Sequence, residues 1–121
     1  MLLDTNVVIG HLDGEPTIVA AMAEFKRRLE TFVISIVTVT EVLSHEKLSS
    51  EDLISIKEYL ETLLVLPLDL RTAEVAAEFR RKYRLITPDA LIVATAYVNG
   101  ISLATRDQKM RKVREVTFVD I

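Results

Sequence analysis

The chain has 121 residues, half of them hydrophobic and 27% charged, with a net charge of −3. That is one domain with a sizeable core and no room for a second, and the balance excludes a disordered chain. The absence of cysteine removes a disulfide frame and a thiolate nucleophile, and two histidines, His11 and His45, are too few for a His-rich zinc site.

The acidic total also argues against coating duplex nucleic acid by charge alone. Its distribution is uneven. Residues 1–70 hold five basic and twelve acidic side chains, whereas residues 71–121 hold ten and six. No apolar run reaches the ~20 residues of a membrane span, and the start does not read as a signal peptide, so the cytoplasm is the expected location.

In chain order, Leu2-Leu3 reads as a buried strand that ends in Asp4. Val7–Ile9 reads as a short helical turn or loop, and 10–14 as a flexible break. Pro16 opens a helix whose Ile18, Met22, Phe25 and Leu29 form one apolar stripe. Residues 32–36 make a second strand, apolar on both faces. Thr38-x-x-Glu41 has capping-box spacing and predicts a helix starting there, carrying Val42, Leu43 and His45.

Ser49 to Asp52 begins the next helix, with Leu53, Ile56, Leu60 and Leu63 inward. Leu64–Leu66 is a third strand, closed by Pro67. Asp69 caps a helix that turns Val75, Ala76, Phe79 and Tyr83 inward and ends in Arg80, Arg81, Lys82 and Arg84. Thr87-Pro88-Asp89 starts a helix apolar almost all round, and Asn99-Gly100 stops it. Residues 101–104 and 116–119 give the fourth and fifth strands, with a short basic helix between them.

Two-sided apolar strands alternating with amphipathic helices predict a parallel sheet covered on both faces. Two helices between the third and fourth strands strain simple alternation, so one is expected to lie across the sheet or at its rim.

Four acids fall where this topology can gather them: Asp4, Glu41, Asp89 and Asp107. Each alone has a structural explanation as a helix cap or first-turn acid. Crowded at one sheet edge they would repel one another unless a cation compensates, and carboxylate oxygens without thiol partners point to Mg²⁺ or Mn²⁺. A receiver domain would need a second acid after Asp4 and a lysine after the fifth strand, and a haloacid-dehalogenase phosphatase would need Asp at position 6. Thr5, Asn6 and the ending Asp120-Ile121 fit neither.

Leu-Leu-Asp-Thr-Asn at 2–6, the Thr-Glu pair at 40–41, Pro-Asp-Ala-Leu-Ile-Val-Ala-Thr-Ala at 88–96 and Leu-Ala-Thr-Arg-Asp at 103–107 together resemble the PIN-domain ribonucleases, in particular VapC-like toxins of toxin–antitoxin pairs. The resemblance spans the whole chain, 1–121, as a single PIN-like domain. It implies a three-layer α/β/α sandwich around a parallel sheet of about five strands, and metal-dependent endoribonuclease activity. Asp4, Glu41, Asp89 and Asp107 match the acidic metal-binding positions; Asn6 and Thr105 match the polar residues beside them. Arg106, Lys109 and Arg111 are candidates for holding an RNA backbone, with a solvated helix face as the plain alternative. A cognate antitoxin and a homodimer or higher homo-oligomer are the implied partners. The competing readings are an RNA-processing nuclease of the same fold without a toxin role, and a catalytically silent protein-binding module.

Overall fold

The computed structural model describes residues 1–121. Its centre is a five-stranded sheet in the order β3-β2-β1-β4-β5, all pairs parallel. The strands are β1 Leu2–Leu3, β2 Val33–Ser35, β3 Leu64–Leu66, β4 Leu103–Ala104 and β5 Phe118–Val119. β2, β4 and β5 are each shorter than the apolar runs that announce them.

Alternation along the strands divides the core in two. Leu2, Val33 and Leu103 face one side, and Leu3, Ile34 and Ala104 face the other. Helices α1 Thr5–Leu12, α2 Pro16–Arg27, α3 Ile36–Leu43 and α4 Ser50–Glu61 fill the connections of β1 to β2 and β2 to β3. Val7, Val8, Ile18, Met22, Val42 and Leu60 pack from them onto the Leu3 face. Helices α5 Leu70–Tyr83 and α6 Thr87–Asn99 lie together on the Leu2 face, with Ala76 and Phe79 meeting Ala90, Val93 and Ala96. α6 buries more residues than any other helix, as its apolar circumference predicts.

Neither α5 nor α6 is displaced to the rim. The first three crossovers all carry a helix pair, and both α5 and α6 share one face because the chain returns from edge strand β3 across the sheet to β4. A right-handed return of that direction must use the opposite face from the outward crossovers. The connection order therefore reverses between β1 and β4, which makes the crevice at their carboxyl ends the binding position of an open α/β sheet.

Three local expectations are corrected. Val7–Ile9 take the helical alternative, but residues 10–12 are no break; α1 runs through Gly10 to Leu12, and the break shrinks to the turn at Asp13-Gly14, with Gly14 at φ 72°. Gly10 allows a close approach to α2, since a Cβ there would make the Ile18 Cδ1 methyl shift. Leu29 is not on the inner stripe of α2: the helix has ended, and Leu29 sits at φ 61° with 89% of its surface exposed. Thr38 does not start a helix either. Ser35 leaves β2 and immediately caps α3, accepting from the Val37 N–H at 3.1 Å, so Thr38 and Glu41 lie inside the helix and His45 beyond it. By contrast, Ser49 and Asp52 form a complete capping box, and Asp69 caps α5 through the Thr72 N–H at 2.8 Å.

Candidate active site

Asp4 follows β1 directly and occupies the N-cap position of α1, yet its side chain caps nothing. Instead Oδ2 accepts a hydrogen bond from the Thr105 hydroxyl at 2.7 Å, at the end of β4. The Asp4 backbone N–H donates to Ala104 O at 3.0 Å, so the parallel pairing of β1 with β4 sets this meeting. Asp4 is only 4% exposed, and Thr105 is fully buried.

The same Thr105 oxygen accepts from the Asp107 N–H at 3.0 Å. Asp107 then turns its Oδ1 onto the N–H groups of Lys109 (2.8 Å) and Met110 (3.2 Å), ordering the chain into the 3-10 turn Met110–Lys112. That turn stands where a short basic helix is predicted. Its second carboxylate oxygen takes no part in these bonds.

Glu41 arrives from α3. Its Oε1 accepts from the Thr5 hydroxyl at 2.7 Å, and Thr5 lies 3.0 Å from the hydroxyl of fully buried Thr38. The Thr38–Glu41 spacing thus serves as one helical turn that joins α3 to α1, not as a cap. Thr5 and Thr38 escape notice in the sequence as positioning groups. Their signal is a hydroxyl directly after Asp4 and another one turn before Glu41.

Asp89 lies in the first turn of α6 and is half-buried. Burial, followed by the charges of Asp107, Asp4 and Glu41, pushes its carboxyl up to about 6, with Lys109 opposing. Burial also raises Asp4, against the stabilising hydrogen bonds of Thr105 and the Thr5 backbone, and Asp107 and Glu41 add to the rise. Asp107 and Glu41 therefore act through space on both Asp4 and Asp89, and Asp4 on Asp89, although no three acidic or imidazole side chains converge into a finished coordination shell. The donor set is entirely oxygen, and the mutual repulsion is what a bound divalent cation would relieve. These residues fit a hard cation.

Asn6 is exposed on α1 and lines, with Asp4 and Asp107, a cleft of about 260 Å³. The basic candidates divide. Arg106 pairs with Glu15 and donates to the Thr17 hydroxyl at 2.7 Å and to Ile121 O at 3.0 Å. Arg111 donates to Thr105 O at 2.9 Å and Asp120 at 2.6 Å and lies over the Phe118 ring. Lys109 is in no ion pair. His11 is tied to the Tyr59 hydroxyl at 2.8 Å between α1 and α4, a packing role, whereas His45 does line a cleft with Glu41.

Solved structures of similar fold include a toxin-antitoxin complex from Klebsiella pneumoniae (TM-score 0.83, 26% identity, 99% of this chain and 98% of that one). FitAcB from Neisseria gonorrhoeae is similar at TM-score 0.78 and 28% identity, over 97% of this chain and 94% of that one. VapBC2 from Rickettsia felis, bound to a DNA fragment from their promoter, shares the fold at TM-score 0.80 and 17% identity, over 99% and 97% of the two chains. No curated protein sequence matches the chain. The PIN domain model matches residues 1–116, and the chain belongs to that family.

Proposed function

We propose that the protein is a metal-dependent endoribonuclease and the toxin of a toxin–antitoxin pair. The observation that carries the nuclease reading is the electrostatic coupling of Asp4, Glu41, Asp89 and Asp107 at the β1/β4 crevice. Membership of the PIN family and the likeness to toxin–antitoxin complexes support it.

Asp4, Asp89, Glu41 and Asp107 would hold Mg²⁺ or Mn²⁺. Such an ion supplies Lewis acidity that lowers the pKa of water and offsets charge on the phosphorus centre. The chain's own contribution is preorganisation. Thr105 keeps buried Asp4 supplied with a donor in its ionised form, and Thr5 fixes the direction of Glu41 from a buried foothold on Thr38. Asp89, whose proton is held more tightly than an ordinary carboxyl's, must release it for the full acidic set to form. Asn6 offers an amide at the rim. Lys109 brings a free positive charge next to Asp89, and Arg106 and Arg111 are further candidates for the RNA backbone.

No helix is long and apolar enough to cross a membrane. The proposed setting is the cytoplasm, with RNA as substrate, a cognate antitoxin as protein partner and a homodimer or larger homo-oligomer as assembly. Incubating the purified protein with a mixed RNA pool under Mg²⁺, Mn²⁺ and EDTA tests the reading. Cleavage with either ion and none in EDTA is expected; cleavage that persists in EDTA overturns it.

A further inference from the structure

Asp107 stands between two clefts of different electrostatic character. In the first, of about 260 Å³, the cation is Arg106, already neutralised by Glu15. The second, of about 430 Å³, opens on the other side between Arg84, Ile86, Asp89, Asp107 and Lys109. Here Arg84 and Lys109 are both exposed and neither forms an ion pair, although carboxylates line the same space. Two free cations beside an acidic centre are complementary to an anion that approaches that centre.

The placement of Arg84 is specific. It caps the end of α5 at φ 58°, ψ 36°, the left-handed conformation that favours glycine. An arginine there carries a backbone cost that a glycine would not. The link that follows is pinned: Leu85 is buried, and its carbonyl accepts from Arg80 Nε at 3.1 Å. The guanidinium is thus presented from a fixed point, not a loose tail. Ile86, next in the cleft and 62% exposed, offers an apolar surface to a base or ribose.

We propose that this second cleft binds the nucleotide adjoining the one that is cut, with Arg84 and Lys109 gripping its phosphate oxygens. The inference rests on the nuclease reading and adds a direction to it: the single strand leaves the acids over the α5–α6 link. The size suits one nucleotide better than a folded element.

The test is binding of a fluorescein-labelled, mixed-sequence single-stranded RNA dodecamer to the Asp4→Asn chain in Mg²⁺, read by anisotropy over a salt series. Arg84→Gly and Lys109→Gln should each weaken binding about 3- to 10-fold and reduce the salt slope by about 0.7, the value for one phosphate contact on a single strand. Arg84→Gly relieves the left-handed backbone, so its thermal midpoint should hold or rise, which separates lost binding from lost folding. Lys57→Gln, an exposed cation on α4 across the sheet, should change nothing. Unchanged affinity and slope in both cleft variants, an equal loss in Lys57→Gln, or no RNA binding at all would overturn the proposal. Binding that depends on Arg84 and Lys109, without cleavage by the unaltered chain, would uphold the single-strand path over this cleft, defeat the nuclease reading and overturn the placement of the held nucleotide beside a cut.

Discussion

The Thr105 hydroxyl donates to Asp4 Oδ2 at 2.7 Å across 101 residues of sequence, and the same oxygen accepts the Asp107 N–H. One side chain just past β4 therefore steadies two of the acids. Thr105→Val keeps the shape and removes both bonds, leaving buried Asp4 without its donor. The expected loss is about 1–3 kcal/mol in urea denaturation and roughly 10- to 100-fold in RNA cleavage, while Thr105→Ser retains most of both.

Asp89 gives the pH dependence a definite sign. Its folded pKa of about 6 lies above the ordinary 3.8, so the native chain holds this proton more tightly than the unfolded one. The contribution to stability is present below the unfolded pKa and is lost as pH rises towards about 6, by on the order of 1 kcal/mol after allowance for solvent screening. Asp89→Asn should flatten that fall when unfolding is measured at pH 5 and pH 8. Cleavage runs the other way: at low metal concentration it should climb about tenfold per pH unit below 6 and then level. A flat profile from pH 5 to 7 would count against Asp89.

Metal binding should register in stability without any substrate. At one hundred times its Kd, Mg²⁺ is expected to add about 2.7 kcal/mol to unfolding, reversed by EDTA. Asp4→Asn and Asp89→Asn should lose most of this gain. Calorimetry that shows no Mg²⁺-dependent shift in the unaltered chain would defeat the metal assignment.

The two ends of α3 should separate structural from functional hydroxyls. Ser35→Ala removes the helix cap and should cost about 1 kcal/mol, with cleavage per folded molecule unchanged. Thr5→Val should cost about 1–3 kcal/mol by leaving the buried Thr38 hydroxyl without its partner, and by freeing Glu41 from its tether should lower kcat per folded molecule roughly tenfold.

Much of this was legible because period and burial agree. Leu2-Leu3 and the run from Thr87 to Asn99 have only one way to hide their apolar surface, and Asp4, Asp89 and Asp107 sit just after a strand or at a helix start that the pattern locates. What escaped depended on partners distant in sequence. Gly10 looks like a break until Ile18 of α2 is seen to occupy the space a Cβ would need. The Thr38–Glu41 pair looks like a cap until Ser35 takes that role and Thr5 claims both side chains. Arg84 reads as one of four helix-end cations, and only its left-handed backbone and the fold of the link behind it turn it towards Asp89 and Asp107.

The central position of β1 also has a consequence for biosynthesis. β1 pairs on one flank with β2 and on the other with β4, whose residues are made some hundred positions later. Asp4 must wait for Thr105, and the acidic cluster for Asp107. Such long-range pairing slows folding, and it means that a nascent or prematurely terminated chain carries no assembled centre. Under the proposed RNA cleavage, the strand order itself postpones the hazard until the residues through Asp107 have been made.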